Sequence, residues 1–266
     1  MSPISVTMLG TASAVPFSDR NPSAQALSVH GRLYLLDCGE GTQQRIRQEH
    51  LSFVKIQAVF ISHTHGDHIF GLYGLLSTMS LYHRTEPLQI VGPEGLGAIL
   101  DFFKAEFGDG LSYELQFTPV SAESPQEVYS DDYIRVQAFP LRHGVPCFGY
   151  RIEEVVGQQR NPWKPRSYAY CSDTAPFPEL ATWVAGVDLL YHEATYTSQY
   201  ADKAKQYLHS TTLDAASCAL RAGAGRLIVG HYSSRVKDIS VFEAESRTIF
   251  ADTTAANDGD IFEITR

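Results

Sequence analysis

Val59 to His68 reads VFISHTHGDH. The apolar run Ala58 to Ile61 has the length and β-rich composition of a buried strand, and it ends abruptly in His63, His65, Asp67 and His68. Four side chains able to ligate a metal are thus crowded into one turn, which Gly66 is expected to permit. On such a turn His63 and His65 can face one position while Asp67 and His68 face a second. Imidazole with carboxylate suits zinc first, with manganese or iron as other occupants, and two neighbouring ions can grip both the attacking and the leaving oxygen of a displacement.

Outward from this stretch, the chain alternates strands and helices. Toward the N-terminus the pattern predicts strands at Ser5 to Leu9, Ala26 to His30 and Leu33 to Leu36, the last two joined as a hairpin through Gly31. A polar loop from Val15 to Ala24 lies between them, and a short helix begins at Thr42. Toward the C-terminus, Ile69 to Leu81 reads as a helix apolar around most of its circumference. Further helices are expected at Gly95 to Phe107, Pro178 to Val184, Thr212 to Ala222 and Val241 to Phe250. Strands are expected at Leu88 to Val91, Tyr113 to Phe117, Tyr133 to Leu141, Phe148 to Ile152, Ser167 to Cys171, Leu189 to Tyr191 and Leu227 to Gly230. This order indicates an α/β fold in which helices cover sheets, read as one domain over residues 1–266.

Five apolar strands end in a reactive or ligating residue: Ile61 before His63, Leu141 before His143, Tyr170 before Asp173, Tyr191 before His192 and Glu193, and Val229 before His231. Ligands gather beyond the carboxyl ends of strands in α/β folds, so these remote positions can converge. The reading assigns His63, His65 and His143 to one ion, Asp67, His68 and His231 to the other, and Asp173 to both. Two divalent ions against the charges of Asp67 and Asp173 leave a positive site suited to phosphate. The ions would bring a bridging water toward neutral pKa, and Asp67 could orient it. Glu193 and His209 are the remaining polar candidates for protonating a leaving oxygen, although Ser210 or Thr211 explains a helix cap without His209.

Composition narrows the class. The chain has 266 residues, 44% hydrophobic and 19% charged, enough for a sizeable core. A net charge of -9 argues against a protein that coats nucleic acid nonspecifically. Cys38, Cys147, Cys171 and Cys218 are scattered with no CxxC spacing, which reads as reduced thiols. With neither a signal-like N-terminus nor a run of about 20 apolar residues, the expected location is the cytoplasm.

The residues resemble the metallo-β-lactamase superfamily and, within it, the ribonuclease Z family of tRNA 3′-processing endonucleases. The matching pieces are LGTASAVP (Leu9 to Pro16), LDCGEGTQ (Leu36 to Gln43), SHTHGDHIFGL (Ser62 to Leu72), HGVPCFGYRIEE (His143 to Glu154), YCSDT (Tyr170 to Thr174), HEATY (His192 to Tyr196), HSTT (His209 to Thr212) and GHYSSR (Gly230 to Arg235). The resemblance implies a four-layer αββα sandwich with two zinc ions, catalysis by Asp67, Glu193 and His209, and a homodimer acting on precursor tRNA. It also implies substrate contacts at Arg20, Asn21, Ser233 and Arg235. The chain departs from the family in three places. The arm that grips tRNA is missing, only Val155 to Arg166 filling its interval; Ser18 stands where many members have lysine; and Ser172 replaces a usual glycine, crowding the backbone beside Asp173. The basic stretch Arg160 to Arg166, with Lys164 and Trp163, reads as a solvated loop more than as an RNA contact. The expected activity is phosphodiester hydrolysis by metal-hydroxide attack. A phosphodiesterase for small or cyclic nucleotides and a non-catalytic metal-bound subunit are the alternatives.

Overall fold

The computed structural model describes residues 4–15, 19–155 and 164–265. Its strands in chain order are β1 (Ile4–Gly10), β2 (Ala24–Val29), β3 (Arg32–Leu36), β4 (Ile56–Phe60), β5 (Leu88–Pro93), β6 (Leu115–Val120), β7 (Gln126–Ser130), β8 (Ile134–Leu141), β9 (Cys147–Glu154), β10 (Ser167–Cys171), β11 (Leu189–Glu193), β12 (Leu227–Gly230), β13 (Thr253–Ala255) and β14 (Ile261–Ile264). They form two seven-stranded sheets, ordered β14-β1-β2-β3-β4-β5-β6 and β13-β12-β11-β10-β9-β8-β7. Each sheet is mixed: β3 through β6 run parallel in the first and β10 through β13 in the second, with antiparallel strands completing both. The helices are α1 (Thr42–Gln48), α2 (Gly66–Ile69), α3 (Leu72–Leu81), α4 (Leu96–Phe107), α5 (Leu180–Trp183), α6 (Ala201–Tyr207), α7 (Thr212–Ala222) and α8 (Ser240–Arg247).

Side chains on a strand alternate between faces, and here both faces are apolar. In β3 and β4, Tyr34, Leu36, Ala58 and Phe60 enter the core between the sheets, while Leu33, Leu35 and Val59 enter a second core under α1, α3 and α4. In β10, Tyr168 and Tyr170 face inward and Ala169 and Cys171 face α5 and α7. The result is the expected αββα sandwich. Its central layer is rich in tyrosine, and the buried hydroxyls find partners across the sheets. Tyr150 donates to the Ile61 carbonyl (2.6 Å), Tyr170 to Asp37 (2.6 Å) and Tyr168 to Gln25. These bonds fix how the two sheets sit on each other, because breaking one would strand a buried polar group.

Several elements differ from the sequence reading. The helix expected from Ile69 is divided into α2 and α3 at Phe70 and Gly71, since a Cβ on Gly71 would stand 2.0 Å from the Gly39 carbonyl oxygen. That close approach presses the histidine turn onto the loop after β3. Only one face of α3 is buried, through Leu72, Leu75, Leu76 and Met79, whereas Leu81 is 78% exposed. Gly66 supplies no unusual turn conformation: it opens α2, and the space of its missing Cβ is taken by the Phe70 ring. The elements β7, α6, β13 and β14 went unread because they are short and polar or, as with β14, acquire meaning only by pairing with the distant β1. The hairpin is as expected, turning through His30 and Gly31, both at positive φ.

Of the basic stretch, Arg160 and Trp163 lie outside the described residues, as does Ser18 of the N-terminal loop. Lys164 is exposed and pairs with Asp188. Arg166 corrects the reading of a solvated loop, because its guanidinium is buried and forks onto both oxygens of Glu154 at 3.0 and 2.8 Å. Among the described residues no helix is long and apolar enough to cross a membrane, and all four cysteines are buried and free.

Burial pushes the Glu154 carboxyl up, but the hydrogen bonds from Arg166 and His30 outweigh it and hold the pKa at about 2. A depressed folded-state pKa gives stability that is fully present above the ordinary value near 4.5 and is lost as pH falls toward about 2. Glu154→Gln leaves a buried guanidinium unmatched and should cost about 3–5 kcal/mol at pH 7. In urea unfolding, the gap from the parent should close progressively as the pH falls through that window.

Candidate metal centre

The loops leaving β3, β4, β8, β10, β11 and β12 meet on one rim of the sandwich. The histidine turn is held there from behind. Asp37, directly after β3, is fully buried at φ 58° and receives the Ser62 amide (2.7 Å), the Ser62 hydroxyl (2.8 Å), Tyr170 (2.6 Å) and the Nδ1–H of His68 (2.7 Å). With its proton spent on Asp37, the Ser62 hydroxyl accepts from His63 Nδ1 at 2.9 Å. His143 Nδ1 donates to the Leu208 carbonyl (3.2 Å), and His231 Nδ1 donates to Thr195 Oγ1 (2.7 Å), whose own hydrogen goes to Glu193. In the neutral imidazole each of these contacts fixes the tautomer that leaves Nε2 as a lone pair, and four such nitrogens converge.

The converging donors form two groups. His63 Nε2 lies 3.0 Å from His65 Nδ1 and 3.6 Å from Asp173 Oδ2, and His143 Nε2 lies 3.2 Å from His65 Nδ1 and 3.8 Å from Asp173 Oδ2. In the second group, His68 Nε2 is 3.5 Å from both Asp67 Oδ2 and Asp173 Oδ1, and His231 Nε2 is 3.4 and 3.3 Å from the same two oxygens. Zinc–ligand bonds of about 2.0–2.2 Å place tetrahedral donors about 3.3–3.6 Å apart, so both groups have the span of a coordination shell. A further sign is that His68 Nε2 and Asp173 Oδ1 are buried with no hydrogen-bond partner. A cation within the second group would satisfy both, so the donor set fits divalent metal.

The charges agree. Burial opposes charge on His68, but Asp173, Asp37 and Asp67 outweigh it and lift its pKa well above the usual value. Burial, then the neighbouring His68, lowers His63 well below it, and burial likewise lowers His143. Without metal, a protonated His68 therefore balances the buried carboxylates, and an incoming cation must displace that proton.

Beside the two groups opens a cleft of about 530 Å³, into which His65, Asp67, His143, Asp173, His209 and His231 all face. His209 Nδ1 is 3.0 Å from Glu193 Oε1. Burial lowers the His209 pKa, but Glu193 and Asp173 outweigh it and raise it to about 9. Glu193 is itself fully buried. Both its oxygens are engaged by the amides of Thr174, Thr195 and Ser210, the Thr195 hydroxyl and His209, so it does not reach the cleft and meets it only by way of His209. Of the two cap candidates, Ser210 and Thr211, Thr211 caps α7, its side chain forming a reciprocal capping box with Asp214.

Of the four residues expected at the substrate, Ser233 and Arg235 line the cleft. Arg20 and Asn21 do not; Arg20 donates to Thr11 (2.8 Å) and Asn257 (2.8 Å), and Asn21 donates to Asp258 through its amide and side chain (2.7 and 3.0 Å). They tie the N-terminal loop to the C-terminal segment. Ser172 causes no crowding, because its hydroxyl donates to Ser62 at 2.9 Å and joins the network around Asp37. Sequence reasoning missed Asp37, present only within the LDCGEGTQ motif, and Thr195; the position of Asp37 directly after an apolar strand was the one signal available.

Residues 32–232 match the family model described as the Beta-lactamase superfamily domain. A ribonuclease Z of Porphyromonas gingivalis is 36% identical, the alignment covering 97% of this chain and 98% of the relative. The chain belongs to the ribonuclease Z family of the metallo-β-lactamase superfamily. A ribonuclease BN of Erwinia tasmaniensis is 34% identical over 96% of this chain and 98% of its own length. The crystal structure of human tRNase Z, short form, superposes with a TM-score of 0.82 at 30% identity, covering 98% of this chain and 100% of the human one. As a member of the ribonuclease Z family, this chain is a metal-dependent hydrolase. The alignment to the Porphyromonas relative runs over 298 positions, more than the 266 residues here, so that relative carries segments this chain lacks.

Two outcomes are expected for metal uptake. Affinity for divalent cation, measured by competition with a chromophoric chelator, should rise with pH as His68 releases its proton. Asp37→Asn and Thr195→Val, which loosen His68 and His231 without removing a donor, should each weaken affinity by about 10–100-fold.

Proposed function

We propose that this protein is a dinuclear zinc endoribonuclease that cuts precursor RNA at tRNA 3′ ends, leaving a 3′-hydroxyl on the upstream product. The observation that carries the reading is the His209 imidazole, backed by Glu193, standing beside seven convergent donors, five of which line one cleft with it. Cations held by His63, His65, His143 and Asp173, and by Asp67, His68, His231 and Asp173, would supply Lewis acidity that activates water and neutralises phosphate charge.

The side chains do the rest. Asp67, at the cleft wall, accepts a hydrogen bond from the attacking water and orients it. His209 keeps its second proton at neutral pH because Glu193 and Asp173 favour the imidazolium. With Nδ1 tied to Glu193, Nε2 delivers that proton to the departing 3′-oxygen. Arg235 and Ser233 hold the phosphate from the open side. The relatives named ribonuclease Z and the human tRNase Z likeness support tRNA as the substrate. The proposal extends to a cytoplasmic enzyme, which suits buried free thiols, and to a homodimer, for which exposed Leu81, Tyr82, Phe102 and Phe107 offer an apolar surface.

Cleavage of precursor tRNA, assayed over a salt series, tests the reading. His209→Ala should lower kcat on RNA by about 10²–10⁴-fold with metal content unchanged. It should affect bis(p-nitrophenyl) phosphate far less, because that leaving group departs without a proton. Turnover of the small ester with no RNA cleavage even at low salt would favour the phosphodiesterase for small or cyclic nucleotides instead. Hydrolysis of neither by the metal-loaded protein would favour the non-catalytic subunit.

A further inference from the structure

His209 borders two clefts, not one. Besides the cleft holding the metal donors, a slot of about 480 Å³ lies against Pro176, Ala201, Lys205, Leu208 and Leu213, with His209 in its wall as well. Helix α6 and the residues after it form the ridge at which the two meet. Tyr207, 47% exposed, lines the first cleft, and Leu208, 39% exposed, lines the second. The ridge is held in place at a cost. Leu208 is left-handed at φ 57°, a conformation unfavourable for a branched side chain, and its carbonyl in that position receives the Nδ1–H of His143.

The lining of the slot is mostly apolar, with one free positive charge at its edge. Lys205 is exposed, and no ion pair engages it among the described residues. The acidic neighbour, Asp214, forms no ion pair with it, and its Oδ2 accepts from the Thr211 amide and hydroxyl at 2.9 and 2.6 Å. An apolar slot of this volume with a cation at the rim suits a nucleobase and its phosphate. We propose that this slot is a subsite for an unpaired nucleotide, the one whose 3′-oxygen leaves in the reaction. The assignment rests on the reading of His209 above: the group that protonates the leaving oxygen must adjoin the nucleotide carrying it, and the slot shares that wall. Lys205 then contacts the adjoining phosphate, and the base lies against Pro176 and Leu208. In a chain lacking the basic arm, such contacts next to the bond carry a larger share of RNA affinity.

The test is binding, without catalysis. A single-stranded RNA tetranucleotide made uncleavable by methylene in place of each bridging 3′-oxygen, and the same chain with one abasic residue, are titrated into the zinc-loaded protein and followed by fluorescence anisotropy. The parent should prefer the intact chain by about 5–10-fold. Lys205→Ala should weaken binding about 5-fold and reduce the salt slope by about 0.7, the value for one phosphate contact on a single strand. Ala201→Trp, which fills the slot from the first residue of α6, should abolish the preference for the intact chain, while Lys104→Ala on the distant α4 should change nothing. Equal binding of intact and abasic chains by the parent, or a preference unaltered in Ala201→Trp, overturns the subsite. Failure of the metal-loaded parent to cut precursor tRNA would instead overturn the tRNA reading, independently of these titrations.

Discussion

The structure depends on one buried carboxylate. Asp37 has no exposure to solvent and collects donors from three places: Ser62 on the histidine turn, His68 within it, and Tyr170 from the opposite sheet. A buried charge without such partners would be costly. With them, it couples the packing of the two sheets to the orientation of a donor imidazole, so the fold cannot shift at this edge without disturbing the site. The amide of Phe148 on the Ser62 carbonyl (2.9 Å) and Tyr150 on the Ile61 carbonyl add to the same seam.

The rim concentrates unfavourable terms, and a bound cation would relieve the electrostatic ones. Asp37, Asp67 and Asp173 are drawn close together, imidazole rings are packed with their lone pairs facing one another, and Asp37, Leu208 and His231 all adopt positive φ. Backbone strain of this kind costs about 1–3 kcal/mol per residue and persists only where the surroundings overdetermine it. Each strained residue here serves the site, since Asp37 receives His68, Leu208 presents its carbonyl to His143, and His231 turns its ring toward Asp67 and Asp173. Strain and buried charge accompany donors that are already placed when the metal arrives.

Beyond the metal groups, the site is layered by exposure. Glu193 is fully buried, His209 is nearly so, and Arg235 is exposed. A carboxylate that never meets solvent can hold an imidazole charged, and an imidazole at the cleft wall can pass its proton outward. In an acidic chain with a net charge of -9, a cation-loaded rim and Arg235 would form a local positive field, and phosphate contacts would be confined to the neighbourhood of the bond being cut.

What the sequence by itself determined was local. Four donors within six residues after an apolar strand need only that strand and turn to come together, and the alternation of inward and outward side chains follows from chain geometry. The strand ends before His143, Asp173, Glu193 and His231 were legible for the same reason, and so helix-covered sheets and the convergence of their loops could be anticipated, while the four-layer sandwich came from the family resemblance. Tertiary structure decided everything that depends on which loops meet. Asp37 carried no assigned role in the sequence until Tyr170, 133 positions away, placed a hydroxyl on it. Arg20 and Asn21 looked like substrate contacts until residues 257 and 258 claimed their donors, and Arg166 looked solvated until Glu154 paired with it across a hairpin of two sheet strands. A polar side chain takes its role from the partner it finds, and hydrogen bonds between segments far apart in the chain leave no periodicity in the sequence to reveal them.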